Sequence, residues 1–135
     1  MSAMATPPGE LLRAAAAPVV VIEDDPGVVA LLRDALAGGG YAVTATGTAV
    51  GALELVRRVR PCAVILDLGL PFRSGVALLA ELTADPATAA VPVIVVSALT
   101  EQLSPERKAL AAAVLAKPFG VQELLEALRA ATRGE

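Results

Sequence analysis

The sequence predicts an α/β fold, a doubly wound parallel sheet of five strands with helices on both faces. Short runs of Val, Ile, Leu and Ala recur along the chain without polar alternation, which is typical of strands buried on both sides of a parallel sheet. A helix signal follows each of these runs. Strand and helix therefore alternate five times, and right-handed crossovers can connect every pair of parallel strands.

The five predicted strands are short and almost entirely aliphatic. Pro61 precedes the third strand and Pro92 precedes the fourth, a position in which strands tolerate proline. Gly69 and Pro71 follow the third strand and predict a turn there. The strands are predicted at residues 19–22, 41–45, 63–66, 93–96 and 114–116.

Capping residues mark the starts of the predicted helices. Asp25 is followed by a proline, which suits the first helical position, and three glycines stop that helix. Thr48, Ser74 and Ser104 are predicted to cap the second, third and fourth helices. The first helix places Val28, Val29, Leu31, Leu32 and Leu36 largely on one face. The helices are predicted at residues 26–37, about 48–58, 74–84, 104 to about 113, and 121 to about 133.

Length and composition limit the possible functions. The chain of 135 residues has no histidine and one cysteine, Cys62, which excludes disulfide frameworks, the usual zinc sites and Ser-His-Asp triads. The net charge of −3 disfavours direct nucleic-acid binding. No apolar run approaches the roughly 20 residues of a membrane span, and the start lacks the pattern of a signal peptide. A cytoplasmic location is expected.

The predicted domain occupies most of the chain. Residues 1–17 mix Pro, Gly, Ser and Ala without periodicity, and they predict a flexible N-terminal extension. Residues 18–135 form the predicted domain. No output domain is expected after Glu135.

Polar side chains stand at the carboxyl ends of the predicted strands. Glu23 and Asp24 follow the first strand, Asp67 the third, Ser97 closes the fourth, and Lys117 follows the fifth. Ligands bind at these ends in doubly wound sheets. Carboxylates that meet there repel one another unless a cation neutralises them. Mg²⁺ fits, because it takes oxygen ligands and needs only one or two carboxylates beside phosphate oxygens, whereas Ca²⁺ needs more ligands.

Phosphoryl transfer is the chemistry that this set of residues favours. A carboxylate beside a metal, here Asp67, is able to attack phosphorus and form an aspartyl phosphate. The reaction depends on positioning and charge neutralisation more than on acid–base groups, which suits a chain without histidine. The Lys117 ammonium and the Ser97 hydroxyl, with nearby backbone N–H groups, are predicted to contact the phosphoryl oxygens.

These residues resemble those of the receiver domains of two-component response regulators, over about residues 19–131. In that family an acidic pair ends the first strand, the phosphoacceptor ends the third, Ser or Thr ends the fourth, and Lys-Pro follows the fifth. Leu70-Pro71 and Gly75 also match the family's turn after the acceptor. The resemblance implies a flavodoxin-like fold with strand order 2-1-3-4-5.

The resemblance also implies roles for individual residues. Asp67 is the expected phosphoacceptor. Asp24 is expected to bind Mg²⁺ directly, Glu23 to act mainly through water, and the backbone carbonyl of Gly69 to complete the protein ligands. The Lys117-Pro118 peptide bond is expected to be cis.

The implied function is that of a single-domain receiver. It accepts a phosphoryl group from a sensor histidine kinase or a histidine phosphotransfer protein, and relays the signal through a surface read by a downstream protein. Self-directed phosphoryl transfer and autodephosphorylation are expected, but no enzyme activity on other substrates. Neither nucleic acid nor membrane is an expected partner. A homodimer through the face of the fourth helix, fifth strand and fifth helix is a further expectation.

Two departures from the family pattern leave a different class of function open. Val114 stands where the family usually has Tyr or Phe, and the segment from Ser97 to Lys117 is shorter than usual. Both favour loop rearrangement as the signalling route, and they fit an alternative function as a phosphorylation-independent, receiver-like binding module. A phosphatase with an aspartate nucleophile, of the haloacid-dehalogenase type, needs a second Asp at position 69, where this chain has Gly69.

Overall fold

A single parallel sheet of five strands forms the centre of the domain. The computed structural model describes residues 16–71 and 74–133. The strands are β1 (Ala17–Ile22), β2 (Tyr41–Thr46), β3 (Ala63–Leu66), β4 (Val93–Ser97) and β5 (Ala113–Ala116), in the spatial order β2-β1-β3-β4-β5. Every pairing is parallel, which confirms the expected fold and strand order. Most of the predicted N-terminal extension lies outside the described residues, and β1 begins at Ala17.

Five α-helices and one 3₁₀ turn cover the sheet within the described residues. The helices are α1 (Pro26–Gly38), α2 (Ala52–Val59), α3 (Gly75–Ala84), α4 (Pro105–Lys108) and α5 (Val121–Thr132), and the 3₁₀ turn is Thr100–Gln102. None of these helices is both long and apolar enough to cross a lipid bilayer.

The core consists of two layers, one on each face of the sheet. Alternate residues of β3 enter opposite layers: Val64 and Leu66 pack with α2 and α3, and Ile65 packs with α1 and α5. Neither side of the strand meets water, so every residue of β3 is fully buried. This explains why the sequence of β3 is an uninterrupted run of apolar residues.

Three predicted helix caps are confirmed. The Asp25 carboxylate accepts hydrogen bonds from the backbone N–H groups of Gly27 (2.8 Å) and Val28 (3.3 Å). The Ser74 hydroxyl accepts one from Val76 N–H (3.1 Å), and the Ser104 hydroxyl accepts one from the N–H of Arg107 (3.2 Å). On α1 the predicted apolar face is too wide, because Leu32 and Leu36 are buried while Leu31 is 49% exposed.

The prediction for the start of α2 is wrong. Thr48 does not cap the helix, because its hydroxyl accepts a hydrogen bond from Val50 N–H (3.1 Å) and forms a local turn. Such a bond offers the backbone an alternative to the helix. Gly51, at φ 78°, then reverses the chain, and α2 begins at Ala52. Val50, which precedes this reversal, is 62% exposed.

The fourth helix is much shorter than predicted. It ends at Lys108 instead of about Ala113. The cause is tertiary, since Ala112 N–H already donates to the carbonyl of Val93 (2.8 Å) and Ala113 pairs with Ile94 of β4. The chain must therefore return to the sheet several residues earlier than its alanine-rich sequence indicates.

Gly75 packs directly against the turn that follows β3. A Cβ atom at this position would lie 2.5 Å from Leu68 Cα and 2.6 Å from the Asp67 carbonyl oxygen. Both are backbone atoms, so neither can move aside as a flexible side chain can. The Gly75 N–H also donates to the Leu68 carbonyl (3.1 Å), which ties the first residue of α3 to this turn.

We expect Gly75→Ala to lower the free energy of unfolding by about 1–3 kcal/mol, the usual cost of overpacking a close contact. Urea denaturation measures the change. Gly38→Ala is the matched control, because a Cβ at Gly38 meets nothing within 4 Å. Equal stability of the two variants would contradict the close packing.

Candidate functional site

Backbone hydrogen bonds beyond the strand ends place the acidic residues at one edge of the sheet. The Asp67 N–H donates to the carbonyl of Ile22 (3.0 Å), so the residue after β3 lies beside the end of β1. The Glu23 N–H donates to Thr46 of β2 (2.9 Å), which continues the β1–β2 ladder by one residue. Residues that follow neighbouring strands therefore face a common cleft.

Three carboxylates meet in this cleft, as the sequence predicts. Glu23, Asp24 and Asp67 each present an oxygen, and these oxygens all lie within 4.8 Å of one another. Their exposure differs sharply: Glu23 is 2% exposed and Asp67 is 7% exposed, whereas Asp24 is open to solvent. The cluster thus has a buried part and an accessible part.

Lys117 enters the same cleft from the end of β5. Its backbone N–H donates to the carbonyl of Ser97 (3.1 Å), which extends the β4–β5 ladder. The ammonium donates to Glu23 Oε1 at 2.7 Å and lies 3.5 Å from Asp67 Oδ2. The shorter contact shows that Glu23, and not Asp67, is the principal partner of Lys117.

Both carboxylates receive a second hydrogen bond from the backbone. Glu23 Oε2 accepts from the N–H of Asp25 at 3.1 Å. Asp67 Oδ1 accepts from the N–H of Gly69 at 3.3 Å. Both oxygens of Glu23 are therefore engaged, while Asp67 makes only longer contacts.

Burial and charge shift the pKa values of the ion pair in the same direction. Burial raises the pKa of Glu23, and hydrogen bonds from Lys117 and the Asp25 N–H oppose this effect only in part. Burial acts to lower the pKa of Lys117, but its hydrogen bond to Glu23 and the charges of Glu23 and Asp67 outweigh burial and raise it. Lys117 is therefore cationic at neutral pH.

Ser97 ends β4 with a fully buried side chain. Its hydroxyl oxygen accepts a hydrogen bond from the N–H of Leu99 at 3.0 Å. The Leu99 side chain lies over Gly69, since a Cβ at Gly69 would come within 3.1 Å of Leu99 Cδ1. Sequence reasoning missed Leu99, because a leucine in a loop carries no local signal of a contact with a distant turn.

A cavity of about 360 Å³ adjoins the lysine and was not predicted. Its lining consists of Val28, Leu31, Lys117, Pro118 and Phe119. The Lys117-Pro118 peptide bond is cis, as the resemblance implies. Helical periodicity alone places Leu31 in the core, so the cavity could not be found from the sequence.

The donor set fits a magnesium ion. Three carboxylates and one ammonium leave two negative charges in a partly buried cleft, and a divalent cation compensates them. All the available donors are oxygens, which Mg²⁺ prefers. Asp24 and Asp67 are the carboxylates best able to hold the ion, because neither is committed to a short ion pair.

Comparison with known proteins identifies the family to which this chain belongs. The family model described as the response regulator receiver domain matches residues 19–129. The transcriptional regulatory protein KdpE of Mycobacterium tuberculosis is 42% identical over 118 residues, which is 85% of this chain and 50% of that protein. The KDP operon transcriptional regulatory protein KdpE of Escherichia coli is 41% identical over 119 residues, with 85% and 51% covered. The chain thus spans about half the length of these curated relatives.

Solved structures give the same fold. A sensor protein from Polaromonas sp. JS666 superposes with a TM-score of 0.81 at 31% identity, covering 87% of this chain and 97% of that one. The receiver domain of the sensor histidine kinase PA1611 from Pseudomonas aeruginosa has a TM-score of 0.78 at 27% identity, covering 88% and 99%. That structure holds a magnesium ion in its active site cleft.

Proposed function

The chain belongs to the response regulator receiver domain family of two-component signalling, and from this premise we propose that Asp67 accepts a phosphoryl group in a magnesium-dependent reaction. One observation carries the proposal: a nearly buried Asp67 carboxylate lies 3.5 Å from the Lys117 ammonium and within 4.8 Å of two further carboxylates. This arrangement combines a nucleophile with groups that balance the charge of a phosphoryl group.

Each side chain of the cleft has a proposed role. An Asp67 oxygen forms the new bond to phosphorus while the bond from phosphorus to the donor's imidazole nitrogen breaks, and that nitrogen keeps the electron pair. The Lys117 ammonium and the Ser97 hydroxyl, together with backbone N–H groups, hold the phosphoryl oxygens. Asp24, Asp67 and the Gly69 carbonyl would hold a magnesium ion, and the ion would supply charge neutralisation. The proposed donor is a sensor histidine kinase or a histidine phosphotransfer protein.

The output is proposed to be a protein contact. The chain covers about half the length of relatives that are named transcriptional regulatory proteins. This name contrasts with the expectation that nucleic acid is not a partner. For the domain described here we retain that expectation, because the net charge is −3 and an acidic cleft repels a phosphate backbone. A homodimer through α4, β5 and α5 belongs to the same proposal, as do self-directed phosphoryl transfer and autodephosphorylation.

A second candidate is a binding module that works without phosphorylation. Val114, half-buried on β5, replaces the aromatic residue that is usual in the family, and α4 is a single turn. If the chain is such a module, we expect its binding to a partner to be insensitive both to a phosphodonor and to Asp67→Ala.

Intact-mass measurement after incubation with acetyl phosphate tests the proposed function. We expect a mass gain of one phosphoryl group in the presence of Mg²⁺, little gain in EDTA, and loss of the gain on treatment with hydroxylamine, which cleaves acyl phosphates. A chain that gains no mass with Mg²⁺ is no phosphoacceptor for this donor. Sustained hydrolysis of a phosphate ester would instead indicate a phosphatase.

A further inference from the structure

Strand β2 lies at one edge of the sheet, so one side of its backbone has no neighbouring strand. Its ladder with β1 includes the carbonyls of Gly40 and Thr46, which accept hydrogen bonds at 3.0 and 2.9 Å. Alternate residues of a strand direct their backbone groups to opposite sides, and the even-numbered residues of β2 therefore face β1. The residues whose N–H and C=O groups point to the open side are Tyr41, Val43 and Ala45.

The sequence of β2 favours pairing with a further strand. Its residues, Tyr-Ala-Val-Thr-Ala-Thr, include no charge and no proline, and most of them are β-branched or aromatic. The exposed side chains of Ala42 and Thr44 are small, so they leave the edge accessible. Proteins usually protect such an edge with a charged residue, a proline or a bulge. Protection of β2 must therefore come from another part of the chain.

Arg33 reaches this open edge from α1. Its guanidinium Nη1 donates a hydrogen bond to the Val43 carbonyl at 3.0 Å. Val43 is the middle one of the three outward residues, so the guanidinium lies at the centre of the edge. We propose that the open edge of β2 is a surface for pairing with a second copy of this chain, and that Arg33 keeps this surface closed.

Antiparallel pairing of two β2 strands fits the edge when the two-fold axis passes beside Val43. Val43 then lies opposite Val43 of the second copy, and Tyr41 lies opposite Ala45 on either side of the axis. Residues that are opposite in this way exchange both of their backbone hydrogen bonds. Every outward N–H and C=O group of the three residues thus finds a partner, and the surface is complementary to itself, as a two-fold interface requires.

Arg33 opposes this pairing in two ways. Its guanidinium occupies the space beside the Val43 carbonyl that a second strand must enter, so a charged hydrogen bond must break in each copy. The two guanidiniums would also approach each other near the axis, where like charges repel. Neither effect involves the phosphoacceptor cleft, and the proposal is therefore independent of the proposed function.

Sedimentation equilibrium without a phosphodonor tests the role of Arg33. For Arg33→Met, which keeps most of the side chain and removes the guanidinium, we expect dimerisation at least about tenfold tighter than in the wild type, because no charged hydrogen bond has to break. Arg58→Met is the matched control, since it removes the same charge from an exposed position on α2 and should leave association unchanged. Equal association of Arg33→Met and the wild type would overturn the proposal.

A second variant tests whether the new contact lies on β2. Thr44→Lys adds a charge to the exposed face of the edge, a usual means of preventing strand pairing. We expect Arg33→Met/Thr44→Lys to associate as weakly as the wild type. Dimerisation that persists in the double variant would place the contact elsewhere and overturn the proposal, and so would dissociation of a wild-type dimer by Thr44→Lys alone.

Amide hydrogen exchange measured by NMR locates the pairing directly. In concentrated Arg33→Met we expect slower exchange at the outward N–H groups of Tyr41, Val43 and Ala45 than in a dilute sample, because these groups gain hydrogen-bond partners. The wild type should show no such dependence on concentration. Exchange at these three amides that is independent of concentration in Arg33→Met would also overturn the proposal.

Discussion

Asp67→Asn is expected to abolish labelling by acetyl phosphate, even at saturating Mg²⁺. The neutral amide is a poor nucleophile and a weak metal ligand, so the substitution removes both functions that the carboxylate is proposed to have. Intact-mass measurement over a time course checks this result. Asp67 is the central group of the cleft, and a partial decrease is therefore not expected.

Two control measurements test whether the loss of labelling is specific to the Asp67 carboxylate. Asp34→Asn changes an exposed acidic residue of α1 and should leave labelling unchanged. In EDTA, Asp67→Asn should unfold at the same or a higher urea concentration than the wild type, because it removes one of three neighbouring negative charges. A variant that is labelled as fast as the wild type would place the acceptor elsewhere.

Lys117→Met is expected to slow labelling at saturating Mg²⁺ by about a hundredfold or more, as removal of one preorganised donor commonly does. Methionine keeps most of the stem and removes the charge. Glu23 then loses its 2.7 Å partner within the protein interior, so the free energy of unfolding should also fall, by about 1–3 kcal/mol. Lys108→Met, at an exposed position on α4, is the control for both measurements.

The stability loss in Lys117→Met should depend on pH. Burial raises the pKa of Glu23, and the variant lacks the hydrogen bond that opposes this effect. The folded chain then binds a proton that the unfolded chain has already released, so stability should increase as the pH falls from neutral towards the ordinary range of a carboxyl group. Unfolding midpoints measured over this range check the sign. A loss that is the same at every pH would mean that Glu23 keeps its charge by another contact.

The sequence predicts the central sheet well because its strands are buried on both faces. The segment Ala63–Leu66 can be identified as a parallel strand from its own sequence, without information about its neighbours in the fold. Turn residues mark both of its ends. Helix ends are predicted where a cap acts locally, as at Asp25 and Ser74. Prediction fails where tertiary contacts decide, as at Lys108, where pairing of the following residues with β4 ends the helix early.

The members of the candidate site are predictable, but their contacts are not. Strand ends alone bring Glu23, Asp67 and Lys117 to one edge. Which carboxylate pairs with the ammonium depends on the depth of burial and on a backbone N–H at Asp25, and neither is visible in a sequence pattern. The contact of Leu99 with Gly69 likewise joins two loops that only the folded chain brings together.

The short helix α4 has a consequence for motion. None of its four residues is buried, and the Arg107 guanidinium holds it to α3 through the carbonyl of Val76 (3.3 Å). Local opening of such a segment requires far less free energy than global unfolding. The crossover between β4 and β5 is thus a part of the domain that can open locally, while β4 beneath it, with every residue buried, stays in place.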